Sequence, residues 1–289
     1  MKMKDYLIKA IIKDRAIRLV ACNTTNLTNE ARELHHLWPT ASAALGRMMS
    51  ATLMMGSNLK NDEKLSVTIN GGGPIGTMIT TTSNNGLVKG FVANPEVHYT
   101  YNDTGKLAVG VAVGHQGYLQ VVKDMGLKEP FSSQVQLQTG EIGDDFAYYY
   151  AISEQTPTAI SLGVLVDTDN KVIVSGGYMA QLMPGHSELD IQLIESVFAN
   201  SLPVTELLNQ KNSVEEILQG LFNDVEILDS IDLAYVCGCS KEQMAKAIKT
   251  VGKAEIENMI EEDQGCEIHC HFCNKTYHFN EDELKELID

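Results

Sequence analysis

Four cysteines stand in two close pairs near the end of the chain. They read Cys237-Gly238-Cys239, then thirty residues from Ser240 to His269, then Cys270-His271-Phe272-Cys273. Two pairs separated by a spacer can bring four thiolates to one tetrahedral metal site, each pair from one tight turn. Zinc is the default metal for four sulfurs in that geometry. Gly238 gives the Cys-x-Cys turn the backbone freedom it needs. The spacing allows a second chemistry. Residues two or three apart can bring their Cα atoms within the roughly 4.4–6.8 Å of a disulfide, so each pair could oxidise within itself and release the metal. From the residues alone, a permanently reduced structural zinc site and a redox-sensitive one both stand. Cys266, His269, His271 and His278 are further potential ligands nearby. The pair spacing selects Cys237, Cys239, Cys270 and Cys273, and Cys266 could mispair on oxidation.

The elements that must position these thiols are short. Ser240 with Gln243 fits a helix start directly after Cys239, and Gly252 breaks that helix. Residues Glu255 to Glu262 form a second helix. Glu267 to Phe279 reads as a hairpin whose turn is Cys270–Cys273, and Asn280 with Glu283 caps a last helix through Ile288. Around fifty residues with so few large apolar groups need a staple. Metal binding is worth on the order of 10 kcal/mol, comparable to the roughly 5–15 kcal/mol of an ordinary domain. Loss of zinc should therefore unfold this module.

Upstream, residues 6–21 alternate around Lys13-Asp14-Arg15 as a strand hairpin. Cys22 at its end has no neighbouring partner and reads as a small core residue. Asn29 to Leu37 is a short helix candidate. Pro39 then opens a helix that is apolar on nearly all sides through Leu59, the pattern of an interior element. Its Met48, Met49, Met54 and Met55 would also suit a surface that binds many apolar partners, but the all-round pattern favours the core. Strands are expected over 65–69, 78–80, 87–93, 97–101, 107–113, 118–123 and 135–138. Gly71-Gly72-Gly73-Pro74-Ile75-Gly76 lacks the Lys-Ser/Thr ending and following helix of a phosphate loop, so it reads as a turn. Asp144 and Asp145 open a helix as capping groups rather than as an acid–base pair. A last hairpin covers 159–175. After Gly185 come short acidic helices, two of them opened by Ser187 with Asp190 and Ser213 with Glu216.

With these motifs assembled, the sequence resembles the bacterial redox-regulated heat-shock chaperone family, the 33 kDa chaperonins. The resemblance rests on the two cysteine pairs and their spacer, on Trp38-Pro39-Thr40-Ala41-Ser42-Ala43-Ala44-Leu45-Gly46-Arg47, on the 71–76 glycine turn, on Gly140-Glu141-Ile142-Gly143-Asp144-Asp145-Phe146, and on Gln181-Leu182-Met183-Pro184-Gly185. It implies a switch. In the reduced protein Cys237, Cys239, Cys270 and Cys273 hold zinc and the chaperone is inactive. Oxidants then form Cys237–Cys239 and Cys270–Cys273 disulfides, zinc leaves, the module unfolds and the linker is destabilised. The exposed apolar surface binds unfolded or partly folded client proteins without ATP, and the active form is a homodimer.

The expected fold is α+β. A large domain of antiparallel sheets packed on a buried helix spans 1–185, a helical linker 186–232, and a small four-cysteine zinc module 233–289. Of 289 residues, 44% are hydrophobic and 21% charged, as in a folded soluble protein. Neither a signal peptide nor a membrane span is visible, so a reducing cytoplasm is the expected home. The net charge of −16 is uneven: residues 1–185 hold 16 acids and 15 bases, residues 186–289 hold 22 acids and 7 bases. An acidic zinc module is a poor partner for phosphates, which argues against nucleic acid. Two other classes compete with a non-enzymatic chaperone. A thiol–disulfide oxidoreductase would use Cys270 and Cys273, but needs a strand-to-helix setting that lowers a thiol pKa. A zinc-stabilised adaptor would bind one partner whatever its oxidation state.

Overall fold

The structure, a computed structural model, describes residues 4–288 except 61, 211 and 212. By its internal contacts the chain divides into two units, 1–236 and 237–289.

In the first unit, β1 (Tyr6–Ile12) and β2 (Ile17–Asn23) form the predicted hairpin, followed by α1 (Thr25–His35) and α2 (Pro39–Gly56). Then come β3 (Lys64–Asn70), β4 (Met78–Ser83), β5 (Leu87–Val92), α3 (Val109–Val113), β6 (Tyr118–Asp124), β7 (Phe131–Gln136) and α4 (Gly143–Ile152). A long hairpin of β8 (Thr158–Val166) and β9 (Val172–Leu182) precedes α5 (Glu188–Asn200), α6 (Val204–Gln210) and α7 (Val214–Leu221). The unit closes with β10 (Val225–Asp232) and β11 (Ala234–Tyr235).

Two sheets result. One has the order β10-β1-β2-β9-β8 and is antiparallel throughout; the other runs β11-β5-β4-β3-β6-β7, antiparallel except at β11. Every residue of α2 except Pro39 and Arg47 is buried, so the all-round apolar pattern marks an interior helix and its four methionines are core. Small residues let neighbours come close. A Cβ on Gly46 would lie 2.7 Å from Thr28 and 2.8 Å from Val164.

The five-stranded sheet is buried on both faces, and strand alternation sorts its residues. Leu7, Val20, Cys22 and Met179 belong to the core around α2. Their neighbours Ile8, Leu19, Ala21 and Tyr178 belong to a second core, beneath α5, α6 and α7. The stretch 186–232, expected as a helical linker, thus holds its three helices and also an unforeseen strand, β10, paired with β1.

Three expectations differ. Residues 107–113 alternate like a strand but form the short helix α3. The carbonyls of Ala112 and Val113 accept the N–H groups of Ile75 and Gly73, so the glycine turn takes them up. A Cβ on Gly71 would lie 2.3 Å from the Gly114 carbonyl, an approach that only glycine allows. Residues 97–101 contribute just the bridge Thr100–Leu107. The strand expected at 135–138 runs over β7 instead. Asp145 ties the helix start to the loop before it: its carboxylate accepts the N–H groups of Gln138, Thr139 and Ile142 at 2.7, 3.1 and 3.0 Å, while Asp144 accepts the Thr139 hydroxyl. Cys22 is fully buried, and that burial pushes its thiol up to about 12.

The second unit contains α8 (Lys241–Lys249), α9 (Lys253–Asp263), the hairpin β12 (Gly265–His269) and β13 (Thr276–Asn280), and α10 (Glu281–Ile288). Its buried core is small: Ile248, Ile256, Cys270, Tyr277, Phe279 and Leu284.

Candidate metal centre

Three local devices bring the four thiols together. Cys237 and Cys239 lie on the extended segment before α8, which Ser240 caps by accepting the Gln243 N–H at 3.2 Å. Cys270 and Cys273 sit in the β12–β13 turn. There the Cys270 carbonyl accepts the N–H groups of Cys273 and Asn274, and the Cys270 N–H donates to the Lys275 carbonyl. Asn274 takes the left-handed conformation that closes this turn, a role suited to Asn. Reciprocal bonds between Asn280 and Glu283 start α10 behind the hairpin.

The four Sγ atoms lie within 4.8 Å of one another. Cys237 is 3.6 Å from Cys270, and Cys239 is 3.3 Å from Cys273. A zinc ion with sulfurs at about 2.3 Å sets them roughly 3.8 Å apart in a tetrahedron, so the four residues fit such an ion. All four sulfurs are close together, and distance alone selects no disulfide pairing. Tyr277 braces the site: its hydroxyl lies 3.1 Å from both the Cys239 carbonyl oxygen and the Cys239 sulfur.

The thiols are not equivalent. Burial pushes Cys237 up to about 12 and also raises Cys273. Burial opposes ionisation of Cys239 too, but hydrogen bonds from Tyr277 and the neighbouring thiols outweigh it and lower it to about 7. Cys266 lies on β12, paired with Phe279 and outside the cluster. His269 bonds Thr276 at 2.9 Å, and His278 pairs with Glu267 at 2.9 Å. Cys270 and Cys273 lie between two strands rather than at a helix start, which removes the setting an oxidoreductase needs.

A family model described as Hsp33 protein matches residues 5–280. The chain belongs to the Hsp33 family. Among relatives of this Hsp33-family chain, a 33 kDa chaperonin from Bacillus pumilus is 48% identical over 98% of both chains. Another from Staphylococcus carnosus is 47% identical over 99% of this chain and 98% of its own. The crystal structure of a 33 kDa chaperonin (heat shock protein 33 homolog) from Thermotoga maritima superimposes with a TM-score of 0.89 at 34% identity. That match covers 99% of this chain and 98% of the other. Among the described residues, no helix is long and apolar enough to cross a membrane.

One strap in the first unit carries no mark in the sequence. Tyr235, two residues before Cys237, donates its hydroxyl to the Gly90 carbonyl at 2.8 Å, accepts the Gly90 N–H at 3.3 Å and lies 3.0 Å from His35 Nε2. β11 pairs only with Leu87 and Val88, and at Gly90 this hydroxyl stands in for the missing backbone partner. A two-residue strand leaves no periodicity to read.

Proposed function

We propose that Cys237, Cys239, Cys270 and Cys273 hold zinc in the reduced protein, and that the chain is a redox-regulated, ATP-independent holdase for unfolding proteins under oxidative stress. The observation that carries this reading is the convergence of four thiols in a unit whose apolar core is otherwise small. Bound zinc would crosslink the two turns, a contribution on the order of 10 kcal/mol.

The residues do the rest. The thiolate, not the thiol, is the nucleophile toward peroxide. Each thiolate pair gives up two electrons to one peroxide: an S–S bond forms, the O–O bond breaks and, with two protons taken from solvent, two waters leave. Cys237–Cys239 and Cys270–Cys273 disulfides then leave no thiolate to act as ligand. The second unit unfolds without its staple, and the stretch 186–232 loosens and uncovers client-binding surface. The active form is a cytoplasmic homodimer that binds unfolded clients and performs no catalysis.

The test is metal content per purified chain. A Cys270→Ser, Cys273→Ser double variant is expected to lose tight zinc, whereas Cys266→Ser keeps one ion per chain. A double variant that retains one zinc with native affinity overturns the ligand assignment. Sustained turnover in an insulin-reduction assay would favour the oxidoreductase instead.

A further inference from the structure

The five-stranded sheet ends in two edge strands of opposite character. β10 carries Glu226, Asp229 and Asp232, charges that deter pairing with another chain. β8 reads Thr-Ala-Ile-Ser-Leu-Gly-Val-Leu-Val, with neither charge nor proline. Such an edge is a template for extended polypeptide.

Its backbone direction follows from close contacts. The Ser161 carbonyl turns toward β9, where a Cβ on Gly177 would lie 2.5 Å from it. The Ile160 carbonyl faces the start of α4, 3.7 Å from a Cβ on Gly143. Bonding direction alternates along an antiparallel strand, so Leu162 and Val164 also turn their N–H and C=O groups away from β9. Among the described residues no hydrogen bond reaches those four groups. They open on a cavity of about 840 Å³ lined by residues 161–168. Arg47, Thr100 and Lys106 form one wall, and Pro203 to Glu206, at the start of α6, the other. The six strand residues 161–166 span about 20 Å.

We propose that this slot binds an extended, uncharged segment of an unfolding client as an added strand beside β8, and that α6 restricts it in the resting protein. The proposal rests on the chaperone reading above. Backbone hydrogen bonds recognise no particular sequence, which suits a chaperone with many clients. Arg47, Lys106, Asp167 and Glu206 give the rim both signs of charge, so no charged segment is preferred. A lone strand fits the slot better than a second copy, whose own β8 is flanked by its own walls. α6 packs directly on the face of β8 beside the slot: a Cβ on Gly163 would lie 2.5 Å from Val204 Cγ1 and 2.7 Å from Thr205 Cγ2.

Amide hydrogen exchange on the full chain tests this, with reduced carboxymethylated α-lactalbumin as a permanently unfolded probe. In oxidised protein with saturating probe, the Leu162 and Val164 amides are expected to gain at least tenfold protection, while those of Ser161 and Gly163 stay unchanged. Val164→Pro removes one outward N–H and spares the ladder to β9; it is expected to weaken probe binding about tenfold, with native protection of the β9 amides showing that the sheet still forms. Should that variant fail to fold, Leu165→Asp, which adds a charge like those of β10, is expected to weaken binding several-fold. Leu162 and Val164 amides left unprotected, or Val164→Pro binding like wild type, overturns the proposal. So does protection that depends on protein concentration without probe, which would assign the edge to a second copy. If wild type never suppresses client aggregation, the chaperone reading fails by itself, and exchange with the probe still decides the slot.

Discussion

Gly163→Ala isolates the contact between β8 and α6. Gly163 has no left-handed backbone, so alanine is felt only through what its methyl meets: Val204 Cγ1 at 2.5 Å and Thr205 Cγ2 at 2.7 Å, with the Thr205 nitrogen at 3.3 Å. Both side chains are β-branched and stiff, so the helix must move with them. α6 is seven residues long and is anchored by the buried Val204, Leu207 and Leu208. So short a helix has little stability of its own. Overpacking of this kind costs about 1–3 kcal/mol, which raises the equilibrium constant for opening α6 by about five- to 150-fold. The assay is native-state hydrogen exchange of the reduced protein. The Glu206 and Leu207 amides, bonded to the Pro203 carbonyl at 2.9 and 3.1 Å, are expected to exchange faster by that factor, with Met179 and Ala180 of β9 unchanged. Resting-state binding of the unfolded probe should rise in parallel. Unchanged α6 amides would refute the reasoning, as would equal acceleration in β9, because the sheet would then have absorbed the methyl.

Tyr235→Phe deletes a buried hydroxyl bonded to both backbone groups of Gly90. With those groups left in the core, the first unit is expected to lose about 2–4 kcal/mol, read by chemical denaturation; a loss under about 0.5 kcal/mol would show that the strap carries little. Glu141 accepts from Arg47 at 2.6 Å, Tyr101 at 2.8 Å and the Gly110 N–H at 3.0 Å. Burial opposes its ionisation, but the Arg47 charge and these bonds outweigh it and hold the carboxyl below its ordinary range. Its stabilisation is therefore complete above the ordinary carboxylate pKa and is lost as pH falls through the lower folded value. Glu141→Gln should cost about 1–2 kcal/mol at neutral pH and flatten the acid limb of stability below about pH 4.5, followed by denaturation across pH 3–7. An acid limb as steep as wild type would contradict this.

The centre was legible in the sequence because its parts are local. Cys-x-Cys, Cys-x-x-Cys, the Ser240 cap and the Asn280–Glu283 box each act within a few residues, and the hairpin between them follows from alternation. α2 was legible for a different reason: a helix apolar on every side has only an interior to occupy. What stayed hidden depends on distant partners. Residues 107–113 alternate like a strand, and only the carbonyls taken up by Gly73 and Ile75, over thirty residues earlier, make them a helix. β10 is an exposed acidic stretch whose strand character comes from pairing with β1, more than two hundred residues away. The Tyr235 strap and the Gly163–α6 contact are likewise long-range, and a single sequence marks neither.

The most direct measurement follows zinc release and thermal aggregation of citrate synthase in parallel, before and after peroxide at mild heat. Zinc is expected to leave as protection of the client appears, and reductant with added zinc to reverse both. Zinc retained after oxidation, or lost with no gain in protection, would contradict the switch and return Cys237, Cys239, Cys270 and Cys273 to a purely structural role.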